Sequence, residues 1–583
     1  MILDRINGPK DLKTLSASER KELAQEIRQA MLKRASIHGG HFGPDFGIVE
    51  ATIALHTVFD SPKDKIVWDV SHQVYPHKIL TGRKQAYLEE EHYDDVSGYS
   101  NPAESEHDFF EVGHTSTSIS LASGLAMARD LQGGHENIIA VIGDGSMSGG
   151  EALEGLDTVG EMGTNMIIVL NDNQMSIAEV HGGMYKGFEE LRRTGGKSEH
   201  NLFRAMGLDY RFVADGNDSE ALIKVFREVK DIDHPVVVHI VTQKGKGYKF
   251  AEEDKESWHW HMPFDIETGE VKHPYVDEAA ELTATYLLDR MKTDKKLAVL
   301  TAATPSSFGF TSERRKQAGK QFIDVGIAEE QAVAMASGLA KGGARPVFGD
   351  YATFFQRTYD QISQDVCINN NPAVFLVFGA SMYSMNDVTH LCIFDIPMMA
   401  NIPNLVYLAP VSLAEYKAML AWALDQTDHP VAIRVPVLPV SSEGRVIRTD
   451  YSQLNTYEVT RRGEEVAILG LGNFYGLAEQ TAAELEKKGI HATIINPTYI
   501  TGLDTDLLES LKKDHRLVVT MEDGVLDGGF GEKIARFYGS SDMKTCAFGL
   551  EKKFYDRYDY EKLAEEYNLK PELAAKQILD LIK

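Results

Sequence analysis

Cysteine is scarce in this sequence, and the three that occur, Cys367, Cys392 and Cys546, are far apart and form no C-x-x-C motif. This usage excludes a disulfide framework and a thiolate metal site, and it is typical of a reducing compartment, so we expect a cytoplasmic protein. No apolar run reaches the roughly 18 residues that a membrane span needs. The opening segment, "MILDRINGPKDLKTLSASERKELAQEIR", lacks the apolar core of a signal peptide and the composition of a transit peptide.

Basic residues are also under-represented. The chain has 60 lysines and arginines against 87 acidic residues, which gives a net charge of −27. That balance argues against nucleic acid and anionic membranes as partners and leaves small molecules as the expected ligands. The densest acidic run, "EEEHYDD" from Glu89, is interpreted as a solvated face and not as a metal site.

What the sequence does contain is a repeated alternation of apolar strands and helices. Its 583 residues suffice for three or four domains of about 150 residues each. Three α/β sets follow one another, and they predict an α/β protein with three mostly parallel sheets and helices on both faces. We place the domains at residues 1–275, 281–445 and 455–583, with a linker near 266–280 and a crossover near 440–462.

Two polar residues stand where strands of the first set are predicted to end. Asp144 follows "VIG" in "VIGDGSMSGG", and Asn173 follows "VLND" in "VLNDN". If these strands are neighbours in a parallel sheet, both side chains lie at the carboxyl edge, where open α/β sheets bind ligands. One carboxylate and one amide suit Mg²⁺, which keeps further oxygens from a ligand's phosphates and from water. An aspartate-held cation would thus neutralise a diphosphate where a P-loop uses lysine.

Together with other motifs, this pair carries a family resemblance. "GDG…NDN" resembles the diphosphate–metal motif of thiamine-diphosphate enzymes, and the segments "IVWDVSHQVYPHKILTG", "GHTSTSIS", "FIDVGIAEEQAV" and "YATFFQRTYDQ" resemble 1-deoxy-D-xylulose-5-phosphate synthases of the transketolase superfamily. The resemblance spans the chain, although a long loop after "NDNQMSI" is trimmed. It implies a transketolase-like fold with diphosphate-binding, pyrimidine-binding and C-terminal domains, a homodimer, thiamine diphosphate and Mg²⁺.

The resemblance also implies roles for individual residues. His41, His72 and His259 would act around the thiazolium and the substrate, and Asp144, Asn173 and Met175 would hold the metal. Lys244 would reach the diphosphate, and the backbone N–H groups of "GHTSTSIS" at a helix N-terminus would suit phosphate oxygens. The remaining cofactor contacts would be Gly113, His114, Ser116, Gly145, Ser146, Ile177 and Phe354, with Phe354 stacked on the pyrimidine and Met175 and Ile177 under the ring. Zinc binding by "HGGH" or "HWH" is an alternative that lacks a third spaced ligand.

Glu329 in "DVGIAEE" is the most specific prediction of a catalytic residue. In this superfamily a glutamate hydrogen-bonds the aminopyrimidine ring and promotes the form that takes the C2 proton. A glutamate suits that role because its pKa can be tuned in a dry pocket. The adjacent Glu330 is the alternative residue for this role.

The sequence departs from the synthase pattern on the substrate side. Pro102, Gly379, Asn386 and Val437 stand at positions that are charged in the family, whereas Tyr351, Arg357, His390 and Arg434 are kept. Each charge-assisted hydrogen bond contributes about 1.5–3 kcal/mol, so losing two arginines weakens recognition of a phosphorylated acceptor.

The predicted function is a thiamine-diphosphate-dependent two-carbon transfer of the synthase type, from pyruvate to glyceraldehyde 3-phosphate, in isoprenoid biosynthesis. One alternative is a transketolase-like or acyloin-forming enzyme with another donor, a keto acid or ketose, or with an unphosphorylated aldehyde acceptor. The other is a non-catalytic cofactor-binding protein, which the retention of Glu329, His72 and His390 disfavours.

Overall fold

Apolar strands flanked by helices organise the first part of the chain. The computed structural model describes all 583 residues, and it divides into two units, one of residues 1–275 with 326–328 and one of residues 276–325 with 329–583. The first unit contains a five-stranded parallel sheet. In spatial order its strands are Lys65–Trp68, Ile138–Gly143, Met166–Asp172, Pro235–Val241 and Asp209–Val213.

The sequence of the central strands explains their place in this sheet. "IIAVI" and "MIIVL" are apolar at every position and buried throughout, as expected for parallel strands that helices cover on both faces. Around the sheet lie the helices Pro9–Leu12, Ala17–His38, Gly43–Gly47, Val49–Val58, Tyr75–Lys78, Gln85–Leu88, Ser118–Leu131, Gly150–Met162, Met184–Arg193, Leu202–Ala205, Ser219–Val229 and Lys249–Glu253. A separate two-stranded antiparallel pair joins Gly40–His41 to Trp260–His261.

The second unit holds two sheets. The first has six parallel strands in the order Val406–Leu408, Val431–Arg434, Val374–Phe378, Arg345–Tyr351, Leu297–Thr301 and Phe322–Asp324. Its helices are Glu278–Thr293, Ser312–Ala318, Glu329–Lys341, Asp395–Met399 and Leu413–Asp425. The first of these helices begins inside the segment that we predicted as a linker, because Asp277 caps it by accepting a hydrogen bond from the Ala280 amide.

The other sheet of this unit has the order Glu458–Arg461, Thr493–Asn496, Glu465–Gly470, His515–Val525 and Lys544–Leu550. Its helices are Tyr475–Glu486, Thr505–Leu511, Phe530–Tyr538, Tyr560–Glu566 and Pro571–Ile582. Glu458–Arg461 pairs antiparallel with Thr493–Asn496 and lies within the predicted crossover, so the prediction missed a strand there. Its alternating half-buried and exposed residues are typical of a sheet edge and gave no continuous apolar signal.

The α/β class and the parallel sheets are as predicted. Among the helices, none combines the length and the apolar character that crossing a bilayer would require.

Candidate active site

Asp144 and Asn173 lie side by side at the carboxyl edge of the first sheet. The strands Ile138–Gly143 and Met166–Asp172 are neighbours, with Gly143 opposite Asn171, which confirms the arrangement expected from the sequence. Asp144 Oδ2 accepts a hydrogen bond from the Gln174 amide at 2.8 Å, whereas Oδ1 is buried without a partner. Burial raises the pKa of Asp144 well above its ordinary value, and the nearby Asp172 carboxyl raises it further.

The turn after Asp144 passes very close to the segment that follows Asn173. A Cβ added to Gly145 would lie 3.0 Å from the Ser176 Cα, so the close approach requires glycine. Asn173 Oδ1 accepts a hydrogen bond from the Met175 amide at 3.1 Å and thereby holds Met175 against the turn. The predicted metal and cofactor residues Asn173, Met175 and Gly145 are thus brought together.

The helix predicted after "GHTSTSIS" begins inside this segment, at Ser118, and the amides at its N-terminus are already bonded. The Ser116 and Ser118 amides donate to the two carboxyl oxygens of Asp69, at 2.8 and 3.0 Å, and the Ser116 hydroxyl donates to the Ser146 carbonyl at 2.8 Å. These two N–H groups are therefore not available to phosphate oxygens, because a buried carboxylate already satisfies them. Asp69 follows the strand Lys65–Trp68 as Asp144 follows its own strand, a signal that could have revealed it.

Gly113, buried, and His114, half-buried, lie in the segment before this helix N-terminus. Ser116 has a positive φ of 74°, a strained geometry that the Asp69 contact and the hydroxyl bond to Ser146 hold in place. Ser116 and Ser146 are thus in direct contact, and their role as cofactor contacts stays a prediction.

Lys244 is buried, and its ammonium points to the segment that follows Asn173. Nζ donates to the Ser176 carbonyl at 2.6 Å and lies 3.5 Å from the Ile177 carbonyl. Burial lowers the pKa of Lys244 to about 7, an effect that the Asp144 carboxyl opposes. In this structure Lys244 therefore positions Ile177 and its neighbours, a role that the sequence did not predict.

Three histidines from distant parts of the chain form one cluster in the first unit. The ring centroids of His41 and His72 are 4.8 Å apart, those of His72 and His259 5.0 Å, and those of His41 and His259 5.8 Å. The pairing of Gly40–His41 with Trp260–His261 brings the first and last of them together. Burial lowers the pKa values of His41 and His259 well below the ordinary histidine value, so both rings are neutral near pH 7.

Helix Met184–Arg193 contacts the turn that follows Asp144. The Tyr185 hydroxyl donates to the Asp144 carbonyl at 3.0 Å, and Arg192 pairs with the fully buried Asp172 at 2.5 Å. His239 contacts the same carboxyl oxygen of Asp172 at 2.9 Å. Tyr185, Arg192, Asp172 and His239 were not predicted, and the amphipathic pattern of "MYKGFEELRR" indicated the helix but not its partners.

In the second unit Glu329 is the first residue of helix Glu329–Lys341 and is only 4% exposed, whereas Glu330 is half-buried. Glu329 Oε2 has no hydrogen-bond partner, and Arg357 Nη1 lies 3.9 Å from it. Burial raises the pKa of Glu329 to about 7, and the Arg357 charge opposes this rise. These observations favour Glu329 over Glu330.

A second buried acid near Glu329 was not predicted. Asp350 lies in the strand Arg345–Tyr351, and its Oδ1 accepts hydrogen bonds from the Thr304 hydroxyl and the Tyr351 amide at 2.9 and 2.8 Å. Burial raises the pKa of Asp350 well above its ordinary value, and the Glu329 charge adds to the rise. The signal was an acid inside the apolar strand "PVFGDY".

The predicted pyrimidine and substrate residues lie near one another. Phe354 and Arg357 share the short helix Phe354–Thr358. The Phe354 ring is 6.2 Å from that of Tyr351 and 5.8 Å from that of His390. The structure thus groups Tyr351, Phe354, Arg357 and His390 in the second unit with Glu329.

Arg434 corrects one expectation. Its side chain is fully buried between Asp395, at 2.8 Å, and Asp523, to which Nη1 donates. Two carboxylates occupy the guanidinium, so Arg434 is a structural residue and does not read a substrate.

Gly379, Asn386 and Val437 are likewise held in place. A Cβ at Gly379 would lie 2.8 Å from the Ser384 hydroxyl, and Gly379 has a positive φ of 65°. Asn386 donates to the Tyr558 carbonyl at 3.0 Å, and the Val437 amide donates to Asn473 at 2.8 Å. Pro102 is exposed in a loop of the first unit.

The zinc alternative gains no support. The three side chains whose metal-binding atoms lie within 4.8 Å of one another are Glu89, Glu91 and His92, in the acidic run at the surface. Exposed acidic groups of this kind are common without an ion.

Comparison with known proteins places the chain in one family. A family model for 1-deoxy-D-xylulose-5-phosphate synthase matches residues 3–198 and 194–242, and models for the pyrimidine-binding and C-terminal domains of transketolase match residues 279–440 and 455–572. The 1-deoxy-D-xylulose-5-phosphate synthase of Clostridium beijerinckii is 36% identical, covering 100% of this chain and 99% of the relative.

The synthase of the same name from Carboxydothermus hydrogenoformans is 38% identical and covers 98% and 97% of the two chains. Among solved structures, the transketolase of Leishmania mexicana covers 97% of both chains at 15% identity and a TM-score of 0.44. The predicted resemblance, the transketolase-like α/β class and the prediction of a thiamine-diphosphate-dependent transferase are confirmed at the level of the family. A chain that aligns with these synthases over its whole length, with "GDG", "NDN" and a buried Glu329 in order, belongs to the 1-deoxy-D-xylulose-5-phosphate synthase family.

Proposed function

We propose that this enzyme decarboxylates pyruvate on thiamine diphosphate and transfers the two-carbon unit to an aldehyde, with glyceraldehyde 3-phosphate as the first candidate. The observation that carries the proposal is the Glu329 carboxyl, which is buried, keeps Oε2 without a hydrogen-bond partner and has a pKa raised to about 7. A buried acid poised near neutral pH suits proton sharing with a ring nitrogen. Membership of the synthase family supports the choice of substrates.

The first unit offers groups that fit a divalent cation. Asp144 Oδ1 is a buried carboxyl oxygen without a partner, and buried polar atoms of this kind are normally satisfied by protein, water or an ion. Asp144, Asn173 and Met175 would supply oxygens to Mg²⁺, whose remaining ligands would be phosphate oxygens and water. Directly after Asp144, the backbone of Gly145 approaches that of Ser176 closely.

The chain's own residues would bind, orient and move protons. Thiamine diphosphate, when bound, supplies the electron sink that makes decarboxylation possible. Glu329 Oε2 would hold or release a proton near pH 7, and the neutral rings of His41 and His259 can accept a proton on one nitrogen and donate from the other. The three clustered histidine rings would also limit the access of water to the reacting atoms.

Product formation from defined substrates tests the proposal. Pure protein would be incubated with thiamine diphosphate, Mg²⁺ and pyruvate together with glyceraldehyde 3-phosphate, and products would be identified by mass spectrometry. We expect 1-deoxy-D-xylulose 5-phosphate from the wild type and none from Glu329→Ala, with Glu330→Ala as the matched control. Product from Glu329→Ala, or none from the wild type, would reject the assignment.

A second candidate acceptor is an unphosphorylated aldehyde. It is favoured because Arg434 is sequestered by Asp395 and Asp523 and because Ser384 and Tyr351 crowd the space beside Gly379. Arg357 is the remaining cation among the predicted substrate residues, and one guanidinium gives weaker phosphate selectivity than several. Matched kinetics with D-glyceraldehyde and its 3-phosphate decide between the acceptors: a strong preference for the phosphate would reject this candidate.

The proposal also covers the oligomeric state, the domain boundaries and the location of the protein. The proposal includes a homodimer, as the family resemblance implies. Three domains at residues 1–275, 281–445 and 455–583 are supported by the three sheets. A cytoplasmic location is supported by the three free cysteines.

A further inference from the structure

One loop of the second unit begins and ends against predicted site residues. We call residues 379–390, "GASMYSMNDVTH", the acceptor loop. At its start a Cβ on Gly379 would lie 3.2 Å from the Tyr351 ring, and at its end the His390 ring is 5.8 Å from the Phe354 ring. Apart from the short turn Val388–His390 the loop has no helix or strand of its own, so its shape depends on what it contacts.

The acceptor loop is held by residues that belong to the last sheet domain of the chain. Asn473 Nδ2 donates to the Ala380 carbonyl at 3.1 Å. The Tyr558 hydroxyl donates to the Met382 carbonyl at 2.7 Å, and the Tyr560 hydroxyl donates to the Ser384 carbonyl at 2.5 Å. Three alternate carbonyls of the loop therefore each receive a side-chain donor from outside it.

Residues 556–560, which include Tyr558 and Tyr560, also anchor the second half of the loop. The Arg557 amide donates to the Asn386 carbonyl at 2.7 Å, and Asn386 Nδ2 donates back to the Tyr558 carbonyl at 3.0 Å. The Val388 amide donates to Asp556 at 3.3 Å. These exchanges resemble a short strand pairing, and they fix the backbone up to the turn that carries His390.

Aromatic packing shields the two tyrosine anchors. The Tyr558 and Tyr560 rings are 5.5 Å apart, and the Tyr560 ring is 5.8 Å from that of Tyr383 in the loop. All three side chains are half-buried. Partial exclusion of water strengthens the hydroxyl–carbonyl bonds relative to bonds at an open surface.

We infer that residues 556–560 position the acceptor loop and thereby help to determine which aldehyde the enzyme accepts. The inference rests on the proposed function and adds to it a role for a segment that lies outside the diphosphate-binding and pyrimidine-binding domains. Tyr558 and Tyr560 are positioning residues, because they act on the loop and not on the substrate. A shift of the loop moves His390 relative to Phe354, which changes the fit of the acceptor and leaves the donor side alone.

The test replaces single hydroxyl groups. Tyr558→Phe, Tyr560→Phe and the double variant would be compared in the holoenzyme with pyruvate and either glyceraldehyde 3-phosphate or D-glyceraldehyde. We expect the KM for the aldehyde to rise about two- to tenfold for each lost hydrogen bond, with the KM for pyruvate and C2-proton exchange of the bound cofactor unchanged. Tyr555→Phe is the matched control, because the Tyr555 hydroxyl contacts Glu551 and Tyr567 and not the loop.

A second measurement keeps the inference testable apart from the proposed function. Hydrogen exchange should show weaker amide protection of residues 382–390 in the double variant and no change in Tyr555→Phe. If the wild type makes no product, the proposed function fails, and the exchange experiment still decides the positioning role. Unchanged protection in the double variant, or equal increases in the KM values for aldehyde and pyruvate, would overturn the inference.

Discussion

Glu329 and Glu330 are neighbours in the chain, but their surroundings differ. Glu329 is buried with Oε2 unpartnered, whereas Glu330 is half-buried. We expect Glu329→Ala to retain thiamine diphosphate and to exchange the C2 proton far more slowly, because the lost interaction acts in activation more than in binding. Calorimetry gives the affinity, and deuterium exchange followed by NMR gives the rate. Normal exchange in Glu329→Ala with loss in Glu330→Ala would show that the other glutamate is the active one.

The pKa of Glu329 has a consequence for stability. It is raised from an ordinary 4.5 to about 7, so the stability that the neutral carboxyl keeps below pH 4.5 is lost as the pH rises towards 7. Glutamine cannot ionise. The cofactor-free Glu329→Gln variant should therefore match the wild type near pH 4 and exceed it at pH 8 by on the order of 3 kcal/mol. Thermal unfolding at both pH values measures this difference, and a difference independent of pH would contradict it.

Helix Met184–Arg193 supports the turn that follows Asp144, because the Tyr185 hydroxyl donates a hydrogen bond to the Asp144 carbonyl. We expect Tyr185→Phe to weaken Mg²⁺-dependent binding of thiamine diphosphate about two- to tenfold, and Asp144→Ala to abolish it. Titration calorimetry with and without Mg²⁺ measures both effects. Lys186→Ala is the control, because Lys186 is exposed on the same helix. Equal affinities in Tyr185→Phe and the wild type would show that the helix does not support the turn.

The elements also show what the sequence could and could not predict. Asp144 and Asn173 were predictable, because each comes shortly after a continuous apolar run, "IIAVI" or "MIIVL", and the two strands are neighbours. The grouping of His41, His72 and His259 followed from the family resemblance and not from the local pattern, because the pairing of Gly40–His41 with Trp260–His261 joins segments far apart in the chain. Residue type alone did not show that Lys244 bonds a main-chain carbonyl. Nor did it show that Arg434 pairs with two carboxylates, because Asp395 and Asp523 lie in other elements.

At the scale of the molecule, each of the two units contains an arginine paired with a fully buried carboxylate. In the second, Arg434 lies between Asp395 and Asp523, and in the first, Arg192 pairs with Asp172. Removing Arg434 leaves two buried carboxyls without a cation, which costs about 3–5 kcal/mol. Removing Arg192 costs less, because Asp172 keeps its contact with His239. We expect Arg434→Met and Arg192→Met to lower different calorimetric unfolding transitions, because domains with their own cores can unfold separately.

Scanning calorimetry of the cofactor-free protein measures both variants. Arg345→Met is the control, because its pair with Asp294 is partly exposed and contributes less. If Arg434→Met and Arg192→Met shifted one common transition, the two units would unfold as one.

The anchors of the acceptor loop bind its backbone. Asn473, Tyr558 and Tyr560 reach the carbonyls of Ala380, Met382 and Ser384, which every amino acid possesses. Ala380 and Met382 are also buried, but at half-buried loop positions such as Ser384 the side chain can be exchanged in the course of evolution without loss of the bond to the carbonyl. Libraries that randomise the half-buried positions of the loop, and keep Gly379, Ala380 and Met382, should therefore yield a high proportion of folded variants.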